Sequence, residues 1–115
     1  MRSTILAATL SMASIAHASG ADVMSSRYGN TTIATDDAGI QTKIYYRADG
    51  QFSGKQMDLS FKGNWKVYGS RLCLTFSDQT PNGMTNPFCV PVVAHRIGDS
   101  WKARDYTVRL VKGIR

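Results

Sequence analysis

Apolar and polar residues alternate along most of this chain with a period of two, and no stretch after the first twenty residues follows the 3.6-residue period of a helix face. Ile40, Thr42, Ile44 and Tyr46 alternate with Gln41, Lys43, Tyr45 and Arg47. Met57, Leu59 and Phe61 alternate with Asp58, Ser60 and Lys62, and Trp65 and Val67 with Lys66 and Tyr68. Leu72, Leu74 and Phe76 form the next inward row, followed by Phe88, Val90, Val92 and Ala94. Trp101 and Ala103, then Tyr106, Val108 and Leu110, complete the pattern. The change of parity between those last two rows predicts a bend, bulge or short turn near Asp105. Rows of this kind are half-buried strands. Turn residues separate them: Asp36-Asp37-Ala38-Gly39, Asp49-Gly50, Gly69-Ser70, the Pro/Asn/Gly-rich segment from Asp78 to Pro87, and Gly98-Asp99. Tyr28 to Ala34, rich in threonine, predicts an edge strand, and Asp22 to Arg27 a loose polar lead-in.

The sum is an all-β domain of seven or eight short strands. Sequential neighbours usually pair, so an antiparallel up-and-down meander is the simplest topology. Closing it removes exposed strand edges, which predicts a lipocalin-like or streptavidin-like small barrel. The bulky inward rows predict a barrel filled by its own side chains.

The only two cysteines, Cys73 and Cys89, test the pairing by arithmetic. If they face each other, Leu74 faces Phe88 and Leu72 faces Val90, so the bridging register also matches apolar with apolar. Directly opposed antiparallel residues bring Cβ atoms to about 4 Å, as a disulfide requires. Closing a loop of this length contributes roughly 3 kcal/mol by chain entropy. A metal pair is disfavoured, because there is no C-x-x-C and no nearby histidine pair.

The start of the chain reads as a processing signal. Arg2 is followed by a short apolar run over Ile5 to Ile15, then Ala16-His17-Ala18, a cleavage pattern that predicts a signal peptide at 1–18, with an alternative end at 21. The apolar run is too short to span a bilayer, and no cysteine follows it as a lipid attachment site. Residues 19–115 are then a single exported domain of about 95 residues. An oxidising bacterial periplasm suits the disulfide.

Candidate chemistry is sparse. Beyond the signal segment His95 is the only histidine, and no nucleophile motif such as G-x-S-x-G accompanies it. The eight acidic residues are all Asp, mostly in turns, where Asp bonds its own backbone. Nothing in that distribution predicts two carboxylates converging on one cleft. The sequence therefore predicts no enzyme, no metal and no cofactor. Tyr45 and Tyr68 fall on the outward parity and are candidates for a recognition surface or for cross-strand packing. Charge is more informative. The formal net charge of +6 becomes +5 without Arg2, and residues 96–115 hold six basic and two acidic residues, or +4 of that excess. Lys102, Arg104, Arg109 and Lys112 are the candidate anion-binding residues. Such a face attracts anionic envelope components, or simply keeps the protein soluble; nucleic acid is not expected for an exported chain.

The segments Y-Y-R-A-D-G-Q-F-S-G (45–54), G-N-W-K-V-Y-G-S-R-L-C-L (63–74) and F-C-V-P-V-V (88–93), with Gly98-Asp99 behind them, resemble a group of small exported bacterial proteins of alphaproteobacterial type. Those are periplasmic β-domains carrying a G-x-W-x-V…L-C…C pattern. The resemblance covers roughly residues 29–99 and implies fold and compartment; it carries over no catalytic residue. In outline the chain also resembles the secreted barrel inhibitors of lysozymes and of metalloproteases, without their diagnostic segments.

Three functional expectations follow. The first is a non-catalytic periplasmic binding or interaction module with a basic face. The second is a carrier of a small apolar ligand inside the barrel. The third is an inhibitor of a secreted enzyme that presents the loop 78–87, with Asp78, Pro81, Asn82 and Pro87 as its contact residues. A rigid, stapled loop loses little entropy on binding.

Overall fold

The computed structural model describes residues 23–115; the predicted signal peptide, 1–18 or 1–21, lies outside the described residues. Eight strands follow one another: β1 (Thr31–Thr35), β2 (Gln41–Tyr46), β3 (Gln51–Gln56), β4 (Leu59–Tyr68), β5 (Arg71–Phe76), β6 (Phe88–Pro91), β7 (Ser100–Ala103) and β8 (Tyr106–Val111). They form one antiparallel sheet in the order β6-β5-β4-β3-β2-β1-β8-β7, curled into a nearly closed barrel. Every strand-to-strand connection joins sequence neighbours except β6 to β7, and β1 pairs with β8 instead.

The first strand is therefore not an edge. Thr32 and Ala34 face Ile44 and Thr42 on one side and Leu110 and Val108 on the other. Curling of the twisted sheet brings the last strand round to the first, and the open seam falls between β6 and β7. Arg104 bridges it, with Nη1 donating to the Cys89 carbonyl at 3.5 Å and the guanidinium 4.9 Å from the Phe88 ring centroid. Phe88 in turn meets Tyr106 edge-on at 5.9 Å, so the seam is closed by side chains in place of a ladder.

The register expected from the cysteines is present: Cys73 faces Cys89, Leu74 faces Phe88, Leu72 faces Val90, and the disulfide is formed. The core is aromatic on the β3–β5 side. Phe52, Phe61 and Phe76 meet edge to face at 5.4 to 6.3 Å. The parity change near Asp105 is a tight turn, with Arg104 at φ 54°.

Three expectations change. Residues 23–27 are not a loose lead-in: Met24 is fully buried and a 3-10 turn at Ser25–Arg27 plugs one end of the barrel. The row Phe88-Val90-Val92-Ala94 stops early, because β6 ends at Pro91 and Ala94 is exposed. Proline has no N–H to continue a ladder. The segment 78–87 is a cap on the other end. Pro81 and Met84 are buried, and Gln56 is buried beneath them with its side chain bonded to the Asn82 backbone in both directions. Asn86 likewise clamps the Phe76 N–H and C=O.

Candidate functional site

Strand register assembles a basic wall on the outside of the barrel. Outward positions lie opposite one another in the sequence Lys55, Lys43, Ile33, Arg109 and Ser100, across five adjacent strands. Strands are spaced about 4.8 Å, so Lys55 and Arg109 stand roughly 14 Å apart on one continuous surface. Lys102 is the diagonal neighbour of Arg109 on β7. Ile33 is outward by parity yet buried, and the segment after β8 returns along this side of β1. That segment is fastened by Thr31, whose hydroxyl donates to the Gly113 carbonyl and accepts from the Arg115 N–H. Lys43 Nζ donates to the Arg115 main-chain oxygen at 3.0 Å. Arg115 is thereby brought to the same wall.

Beside the lysines lies an open groove of about 510 Å³, lined by Ile40, Lys43, Tyr45, Lys55, Met57 and Arg115 together with Gly39 and Gln41. Met57 is 80% exposed, an unusual position for a large apolar side chain. The groove thus combines three cationic side chains with apolar surface, and no Asp side chain is in its lining. Acids flank it: Gly39 and Ile40 share the β1–β2 connection with Asp36 and Asp37, and Met57 precedes Asp58 in the β3–β4 connection. Among the described residues, Asp36, Asp37, Asp58, Asp78 and Asp105 all sit in the four connections at one end of the barrel. The sole Lys/Arg–Asp ion pair among the described residues is Arg47–Asp49, at 2.9 Å. No Asp forms an ion pair with Lys43, Lys55, Lys102, Arg109 or Arg115 among the described residues.

Of the four cations singled out from sequence, Lys102 and Arg109 are brought together on this wall. Arg104 is drawn off to the seam, and Lys112 stands beyond β8 at the opposite end, its carbonyl accepting from Arg115 Nε. Lys43 and Lys55 were missed, although outward parity and a hairpin centred on Asp49-Gly50 pair them directly. Tyr45 faces the groove, whereas Tyr68 lies at the far end of β4 beside Lys66, so the two tyrosines form no common surface. In the loop 78–87, Asp78, Asn82 and Pro87 are exposed, but Pro81 is turned inward, out of reach of a partner.

The barrel's plugged end holds the second grouping. Arg27 is only 3% exposed. Its Nη1 and Nη2 donate to the carbonyls of Val23 and Val93 at 3.0 and 3.3 Å, and its guanidinium lies 5.6 Å from the Trp101 ring centroid. His95 stacks on Trp101 at 3.5 Å, nearly parallel, and its Nδ1 is 3.3 Å from Asp99 Oδ2. Asp99 is held below the usual carboxylate range, first by the Arg96 N–H and then by the hydrogen bond and charge of His95. His95 therefore belongs to a loop that locks the plug, as does the Ser26 hydroxyl donating to the His95 carbonyl. Burial lowers the Arg27 pKa, opposed by nearby Tyr46 and Tyr28.

Burial also pushes the Tyr46 hydroxyl up to about 12, with Arg27 opposing the shift. The unfolded chain releases this proton near pH 10 while the folded chain keeps it, so stability is full below pH 10 and declines between 10 and 12. The loss reaches about 3 kcal/mol. Urea midpoints of the wild type should fall over that window, and those of Tyr46→Phe should fall less; parallel curves would refute the assignment.

The fold and its surfaces define a small, disulfide-stapled, nearly closed β-barrel with an apolar core and a basic row along its outer wall. Compared with known proteins, the chain matches no protein-family model and no curated protein sequence. No helix among the described residues is long and apolar enough to cross a membrane.

Proposed function

We propose that the protein is an exported, periplasmic, non-catalytic binding module whose basic wall docks on phosphorylated lipid headgroups of the envelope. The observation that supports this is the register-built row Lys55, Lys43 and Arg109, joined by Lys102 and Arg115, beside a groove that offers apolar side chains. Headgroup phosphates complement the cations, and Met57, Ile40 and Tyr45 supply apolar contact for the interfacial region.

The test is co-sedimentation with vesicles of phosphatidylglycerol and of phosphatidylcholine. Binding should occur only on the anionic vesicles and weaken steeply as salt rises. A basic residue near such a surface contributes about 1 kcal/mol, so the triple variant Lys55→Gln, Lys102→Gln, Arg109→Gln should bind on the order of a hundredfold more weakly. Equal binding to both vesicles, or a triple variant that binds like the wild type, would rule the reading out. Export is checked by N-terminal sequencing of the periplasmic product, expected to begin at Ser19 or Asp22; an uncut chain in the cytoplasm would overturn it.

A further inference from the structure

Lys62 and Lys66 on β4 and Arg71 on β5 are exposed on the outside of the barrel, yet they do not belong to the wall built on β2, β1 and β8. Strand order shows where they point. In the ring β6-β5-β4-β3-β2-β1-β8-β7, β4 lies four strands from β8 in either direction, and β5 lies four strands from β1. In a nearly closed eight-stranded barrel, four strands is half the circumference. Lys62 and Lys66 therefore face away from Arg109, and Arg71 faces away from the β1 side of the wall.

This second face repeats the composition of the first. Tyr68 lies opposite Arg71, and Arg71 opposite Pro91, in one outward row. Tyr68 is 57% exposed, and its ring centroid is 5.4 Å from Lys66 Nζ. Val93, two residues past Pro91, is 60% exposed. Cations thus stand beside exposed apolar surface, as Lys43 and Lys55 stand beside Met57, Ile40 and Tyr45. None of the eight strands contains an Asp or Glu. Asp78 lies past the end of β5, and no Asp forms an ion pair with Lys62, Lys66 or Arg71 among the described residues. A bilayer is flat on the scale of one small barrel, so it meets one side at a time. With the wall docked, the β4–β5 face is turned away from that bilayer and complements a second anionic surface.

We propose that the barrel tethers two anionic lipid surfaces, one on the β2–β1–β8 wall and the other on the β4–β5 face. The tether rests on headgroup docking by the wall and adds an opposed second face to it.

The experiment loads a supported phosphatidylglycerol bilayer with purified protein, rinses it, and offers fluorescent phosphatidylglycerol vesicles. Vesicles should be captured at low salt and released as salt rises. The triple variant Lys62→Gln, Lys66→Gln, Arg71→Gln should still adsorb through the wall but lose capture, since three basic residues near an anionic surface account for on the order of a hundredfold in affinity. Adsorption and capture are read separately. No adsorption at all would refute headgroup docking and the tether with it, whereas adsorption without capture overturns the tether alone. Capture by the triple variant equal to that by the wild type, or equal capture of phosphatidylcholine vesicles, overturns it as well. So does uptake of soluble polygalacturonate without capture of vesicles, which would give the β4–β5 face to an acidic glycan.

Discussion

Gly63→Ala is expected to leave little or no folded protein. Gly63 lies on β4 between Phe52 on β3 and Phe76 on β5. A Cβ built there collides with the Thr75 carbonyl oxygen and stands 2.9 Å from the Phe52 ring. The carbonyl belongs to the neighbouring strand's backbone, so it cannot rotate aside as a side chain can. Relief requires separating β4 from β5 beside the Phe52, Phe61 and Phe76 cluster, which breaks ladder bonds and opens the core together. Overpacking combined with lost pairing should remove on the order of 4 kcal/mol or more, most of the stability of a small domain. Gly69→Ala is the comparison. Gly69 has φ 60° but open space around it, so only the backbone preference is lost, about 1 kcal/mol. Urea unfolding of the two variants separates the cases, and similar midpoints would show that the close approach at Gly63 is not what matters.

The second large effect is expected at the disulfide. Cys73 and Cys89 are 16 residues apart, and opening a loop of that length should lower stability by roughly 3 kcal/mol. The loss should also be local. Strand β6 has four residues and a partner on one side only, and its other edge faces the seam. In a Cys73→Ala, Cys89→Ala variant, Phe88 and Val90 retain their apolar partners, so the fold should form with a lower urea midpoint. Amide exchange of β6 should then outpace that of β3 and β4, which are paired on both edges. Uniform acceleration across all strands, or an unchanged midpoint, would contradict the view of β6 as a flap held by the staple.

Much of this fold is legible in local pattern. The parity of Leu72, Leu74, Phe88 and Val90, with two cysteines between them, is enough to set the β5–β6 register. A hairpin centred on Asp49-Gly50 sets β2 against β3 and so pairs Lys43 with Lys55. Pairings of this kind are readable because a short turn leaves few alternative registers, and a slip of one residue would turn the apolar row outward. The candidate wall was only half legible. Lys102 and Arg109 share a hairpin, but their continuity with Lys43 depends on β1 lying between β2 and β8.

Local alternation by itself determined an all-β chain of seven or eight short strands, the cysteine pairing and, for most strands, which side chains point out. Only the tertiary structure decided where the barrel closes, because Thr32 facing Leu110 joins residues at opposite ends of the described chain through accumulated twist and not through any turn. The same closure decides that Arg27, in a polar run that reads as solvent-exposed, is enclosed, and that Pro81 in a loop-like segment is buried. Burial of those residues is a property of the space the barrel leaves at its two ends, and no neighbour in sequence carries that information.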